Sequence, residues 1–201
     1  MYNRRTFIQA SAAATSASVL AASLGAWPAG ALAAASSRID FYKVVFDREH
    51  PAALAFGQAG GDCGLSVQAI SRDVTALWYD DFYHRWRQGP TAIAGMTPVR
   101  VAYCLQVLAQ DVGMRLVFRA EHTPAADGRL AHRVAGPRSV LQRARLLERS
   151  ADWPRAVAQL VRDCPADFSA KSTLALNSPP TGGAASRAPL VSWVIAPPAG
   201  A

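Results

Sequence analysis

The stretch from Thr91 to Glu121, TAIAGMTPVRVAYCLQVLAQDVGMRLVFRAE, reads as strand, turn, helix, turn, strand. Thr91 to Gly95 is a short apolar run of the kind found in a buried strand. Thr97 is a good helix N-cap, and Pro98 sits where proline is tolerated, at the first helical position. Val101, Cys104, Leu105, Leu108 and Val112 then follow at helical spacing. Gly113 suits the left-handed residue that closes a helix. Met114 to Phe118 is a second apolar strand. Two strands joined by a helix of this length are expected to lie parallel in one sheet, with a right-handed crossover.

Upstream, the same order recurs. Phe41 to Phe46 is a β-rich run, His50-Pro51 opens a helix through Leu54 and Phe56, and Leu65 to Ile70 alternates as a strand. Gly57, Gly60 and Gly61 weaken that helix, and Gly64 ends it. Between Asp73 and Arg87, Val74, Leu77, Trp78, Phe82 and Trp86 share a helical face, with a strand from Val74 to Tyr79 as the alternative. Downstream, Asp127-Gly128 marks a turn after which Arg129 to Val134 can return antiparallel. Ser139 to Glu148 is helical, and Asp152 caps a further helix through Val157, Leu160 and Val161. Asn177 to Pro189 has the composition of a linker. Leu190 to Ile195 is a late apolar strand expected at an edge of the sheet or against a partner. The expected fold is α/β, a three-layer sandwich with a mostly parallel central sheet in the order β-α-β-α-β-α-β of flavodoxin- and Rossmann-like proteins. C-terminal helices and the late edge strand complete it. The domain expectation is a leader over residues 1–33, an α/β domain over 36–165, and a linker with its strand over 166–201.

Hydrophobic residues make up 51% of the 201, enough for a core. The formal charge is +7, from 21 basic and 14 acidic residues, and Lys43 and Lys171 are the only lysines. The arginines are scattered rather than clustered among aromatics, which argues against a nucleic-acid partner. At the N-terminus, Arg4-Arg5 is followed by Thr6, Phe7 and an uncharged Ala- and Ser-rich stretch. Ala31-Leu32-Ala33 then has the small-x-small form of a signal peptidase site. This segment resembles the twin-arginine export signal. Asn3 and Gln9 depart from its usual residues, whereas Arg4, Arg5 and Phe7 match. The resemblance implies a partner in the twin-arginine translocase, export of an already folded chain to the periplasm, and cleavage near Ala33 with no stable membrane span left behind. It covers the leader alone.

Cys63, Cys104 and Cys164 allow at most one internal disulfide, and Cys104 is expected to be buried on the apolar face of the central helix. The chain has no CxxC, no CxxCH and no histidine pair at metal-ligand spacing, so no metal or cofactor is expected. The Gly57 to Gly64 cluster does not join a strand to a helix N-terminus and is not a phosphate cradle. In a parallel sheet, ligands bind beyond the carboxyl ends of the strands. That rule nominates Asp47, Asp73, Thr97, Arg119, Glu121 and His122 as a ligand site, with Trp78 or Tyr79 as a lid. Glu121 and His122 are candidates for acid–base chemistry, although no residue is identified as catalytic. The plainer alternative is that these acids and arginines pair with one another and cap helices. His84 and His132 read as surface residues. Trp78, Trp86 and Trp193 are candidate partner anchors, since large aromatics usually play that part. Two functions follow as expectations. One is an exported accessory or binding subunit without its own cofactor, associated with a larger periplasmic redox enzyme. The other is a small periplasmic enzyme or anion-binding domain using the carboxyl edge of the sheet.

Overall fold

A computed structural model describes residues 38–166, 171–180 and 188–198, all within one compact unit, Ala34–Ala201. The leader residues Arg4, Arg5, Phe7, Ala31 and Ala33 lie outside the described residues. Seven strands form one sheet: β1 (Phe41–Asp47), β2 (Val67–Ile70), β3 (Ala92–Thr97), β4 (Arg115–Pro124), β5 (Leu130–Pro137), β6 (Lys171–Ser178) and β7 (Leu190–Ala196). Their spatial order is β2-β1-β3-β7-β4-β5-β6. Only the pairings of β1 with β2 and with β3 are parallel, and the other four are antiparallel. The expected mostly parallel, Rossmann-like sheet is therefore incorrect: this is an α/β fold around a mixed, mostly antiparallel sheet.

Two strands, β7 and β6, account for most of the difference. β7 was expected at an edge and instead occupies the middle. It inserts between β3 and β4, pairing antiparallel with both, Thr97 and Glu121 each opposite Val191. β3 and β4 do run in the same direction across a helical crossover, but they are not neighbours. Every residue of β7 is buried, the pattern of a strand covered on both faces. A second departure is β6, which occupies sequence read as linker. It pairs with β5 from Leu130↔Ser178 to Pro137↔Lys171. Only Leu176 and Ser178 of β6 are fully buried, as fits an edge strand. The segment after residue 165 thus completes the sheet rather than trailing from it, and residues 181–187 of the expected linker lie outside the described residues.

Helices cover the sheet unequally. On one face α1 (Pro51–Asp62), α5 (Arg138–Ala144) with the 3-10 segment Arg145–Arg149, and α6 (Trp153–Arg162) build the larger core with Phe56, Leu147, Val157 and Val161. On the other face α4 (Val99–Gln110) and a helix spanning residues 75–88 enclose Ile93, Phe82, Leu105 and Trp193. That helix is α2 (Thr75–Leu77), a π-helical turn (Trp78–Phe82) and α3 (Tyr83–Gln88), so the helical reading of this segment holds. α4 ends as expected, with Gly113 at φ +77°. Its beginning differs: Pro98 is the N-cap residue, and no side chain caps the helix. The Thr97 hydroxyl instead accepts a hydrogen bond from the Trp193 indole N–H at 3.1 Å. Gly95 makes that placement possible, because a Cβ there would lie 2.6 Å from the Trp193 ring and 2.3 Å from the Val45 carbonyl oxygen.

Candidate functional site

The six residues nominated from the sequence do not converge on one pocket. Asp47 and Thr97 are both fully buried at the carboxyl ends of neighbouring strands. The Asp47 carboxylate accepts from the Glu49 backbone N–H at 3.0 Å, and its second oxygen has no partner. Asp73 is exposed and closes a local turn through the Thr75 N–H and hydroxyl at 2.8 and 2.6 Å. Those two bonds, the hydroxyl's first, hold its carboxyl below the usual range. Arg119 and Glu121 sit within β4 rather than at its end and pair with each other at 3.1 Å. Glu121 shares a row with Thr97, but Val191 of β7 stands between them. His122, the next residue along an alternating strand, points to the opposite face. The insertion of β7 and this alternation together keep the six apart.

His122 instead belongs to a buried polar row. Its Nδ1 lies 2.7 Å from Nδ1 of His132, directly opposite in the β4–β5 hairpin. His122 Nε2 meets the Ser192 hydroxyl at 2.8 Å, and His132 Nε2 meets the Ser178 hydroxyl at 2.6 Å. Ser178 donates onward to the Leu147 carbonyl at 2.9 Å. With both rings neutral, as their burial favours, this last bond fixes every proton in the row. Ser178 must accept from His132 Nε2–H, which leaves His132 Nδ1 to accept from His122 Nδ1–H. His122 Nε2 then accepts from Ser192 O–H. Each imidazole is neutral, in a single tautomer, with both nitrogens engaged. The Trp153 ring lies against them, its centroid 4.7 Å from His122. Burial, reinforced by His132, pushes the His122 pKa well down, and burial brings His132 to about 4. Closed in this way, the row offers no free base. The surface reading of His132 was therefore wrong; His84 is exposed. The pairing had a signal in the sequence: His122 and His132 are equidistant from the Asp127 turn.

Among the described residues, two of the surface depressions border the helix 75–88. One, of about 590 Å³, lies beside edge strand β2 and is lined by Lys43, Arg48, Gln68, Asp73, Asp80 and Asp81 among others. Asp81 takes an ion pair from Lys43 and a 2.6 Å hydrogen bond from the Tyr42 hydroxyl, and that bond chiefly raises the Tyr42 pKa. The other is a groove of about 480 Å³ between the helix 75–88 and α4, lined by Val74, Thr75, Trp78, Tyr79, Tyr103, Cys104, Val107 and Leu108. Tyr79 and Tyr103 are 63% and 64% exposed. Trp78 packs edge-on against Trp86 at 5.7 Å and Tyr83 at 5.8 Å, which anchors the groove wall to the core. The π-helical turn begins at Trp78, and such wide turns are rare and often mark functional sites.

Of the three expected partner anchors, only Trp78 reaches this groove. Trp86 and Trp193 are 2% and 0% exposed and are core residues. Trp86 stacks on Phe82 at 5.3 Å and donates to the Thr91 carbonyl. Cys104 was expected to be buried and is exposed in the groove, because at the wide angle of the helix it falls on the outer arc beside Tyr103. Cys164 is the buried thiol, pushed up to about 12 by burial. All three cysteines are free. Among the described residues, no group of three His, Cys, Asp or Glu side chains could hold a metal ion, and no helix is long and apolar enough to cross a membrane. Comparison of the chain with protein-family models, with curated proteins and with solved structures finds no match.

Proposed function

We propose that this protein is an exported binding or accessory subunit without its own cofactor, working in a larger periplasmic assembly of redox character and acting through the groove between the helix 75–88 and α4. The observation that carries the docking role is the exposure of Tyr79 and Tyr103 beside Trp78 and Val107 in one apolar depression. Clustered exposed apolar surface on a folded domain marks an interaction site, and aromatic side chains are its usual anchors. The export role rests on the resemblance of residues 1–33 to a twin-arginine leader. That route accepts folded chains, which suits cofactor enzymes and subunits that assemble before they cross.

The alternative is anion binding at the carboxyl edge of the parallel strands. It draws on the depression beside β2, which Lys43 and Arg48 help to line. Asp73, Asp80 and Asp81 line the same depression, and Asp81 already neutralises Lys43. Its three carboxylates outnumber its two cations, so its charge is negative on balance and an anion gains little there.

The export half of the reading is tested with a reporter fused after the leader. Arg4→Lys together with Arg5→Lys stops transport if the arginine pair is the recognised feature. A reporter that still reaches the periplasm through the general secretory route removes the basis for a folded, preassembled cargo.

A further inference from the structure

We infer that the occupant of the groove is a second copy of this chain, related by a two-fold axis that crosses α4 near its middle, with the two α4 helices antiparallel. The inference rests on the docking reading above and names its partner. At 100° per residue, Val99, Arg100, Tyr103, Cys104, Val107 and Asp111 fall within an outward arc of about 140°. The opposite arc, with Val101, Ala102, Leu105 and Ala109, is buried. A surface helix normally turns charge to water. Here the outer arc carries valine, tyrosine and cysteine along its length, and no charged residue lies between Arg100 and Asp111.

The two charges at its ends supply the choice of occupant. Arg100 is positive near the start of α4 and Asp111 is negative just past its end, about 16 Å apart along the axis at 1.5 Å per residue. Among the described residues neither side chain takes part in an ion pair or hydrogen bond. A stripe that is positive at one end, apolar in the middle and negative at the other is its own complement once turned end for end. A two-fold axis midway between the two charges sets each Arg100 against Asp111 of the second copy. The same operation brings Cys104 opposite Val107 and places each Tyr103 against the other copy's groove. This is the isologous arrangement of the commonest homodimers, in which one patch serves both partners. Polar pairs at the rim of such a patch set its register, and the apolar centre supplies the adhesion.

The test is light scattering with the purified full chain and three charge variants. The wild-type chain is expected to run as a dimer. Arg100→Glu places like charges opposite one another at both ends, and Asp111→Arg does the same with the signs reversed. Each is expected to raise the dimer dissociation constant at least about tenfold. The double variant Arg100→Glu with Asp111→Arg restores opposite pairs and is expected to return to within about threefold of wild type. These positions are exposed, so folding is not at issue. As a second readout, a short bifunctional maleimide should join two wild-type copies, and Cys104→Ser should abolish that product while leaving the dimer by scattering. Three results would overturn the inference: a monomeric wild type, a dimer indifferent to the single reversals, or a double variant no better than the singles. If the chain is monomeric while Tyr103→Ala abolishes association with a different protein, the second copy is excluded and the docking reading stands. If Tyr103→Ala changes no association at all, both fall.

Discussion

The aromatic groove and the buried histidine row are both built from side chains that a sequence reader marks as functional, yet they differ in what they leave available. In the row, His122 and His132 are each 1% exposed, and all four imidazole nitrogens have partners. In the groove, Tyr79 and Tyr103 are nearly two-thirds exposed. The row ties β4, β5, β6 and β7 to the 3-10 segment at Leu147. It rigidifies the antiparallel half of the sheet, as fully satisfied buried networks do. Residue type alone does not separate the two cases; register and exposure do. A histidine with every proton assigned is part of the core, whereas an uncovered tyrosine on an apolar wall retains its capacity to bind.

Substitutions in the row, the core and the groove test the difference. The largest effect is expected where an apparent surface aromatic is core. Trp193→Ala should cost about 3–5 kcal/mol, read by denaturant unfolding, because it empties the space over Gly95 and frees the Thr97 hydroxyl. A cost under about 1 kcal/mol would return Trp193 to the candidate anchors. Next comes acid. An unfolded histidine binds its proton below pH 6.5, whereas folded His132 does so only near 4. The stability held by the neutral row is complete above pH 6.5 and is lost as pH falls through that window, by about 3 kcal/mol for His132 alone. Protonation of His132, at Nδ1, would also set two N–H groups against each other at the Nδ1 pair. His122→Leu together with His132→Leu should flatten this part of the pH profile; an unchanged slope would mean that the row is not neutral as assigned.

Much of the local structure was legible in the sequence. The Thr91 to Phe118 stretch announces its strands and helix through apolar period, and Gly113 ends the helix in the left-handed conformation that was expected. Asp152 accepts from the Arg155 N–H as a cap should, and the Asp127-Gly128 turn does close a hairpin. Sheet order was not legible. Leu190 to Ile195 reads as a strand wherever it goes, and nothing local states that it returns between β3 and β4. β6 was missed because an edge strand turns half its residues to water, so Lys171 to Asn177 resembles polar linker. The proposed crevice failed for the same reason, since it required β3 and β4 to touch. Trp78 was found by aromatic density alone, whereas Cys104 was assigned to the buried face of α4 and Tyr103 was not singled out. Their exposure depends on how far around α4 the sheet reaches.

The most direct test compares two surface sites in the native assembly. Tyr79→Ala with Tyr103→Ala removes both exposed rings of the groove, and Arg119→Ala removes the ion pair on the open face of β4. Both should leave stability nearly unchanged, within about 0.5 kcal/mol for the tyrosines and 1 kcal/mol for the arginine. The measurement is the mass of the assembled species isolated under native conditions. The tyrosine variant is expected to fall to the single chain and the Arg119 variant to assemble as the wild type does. Assembly that survives loss of both tyrosines but fails with Arg119→Ala would contradict docking at the groove and move the binding surface to the open face of the sheet.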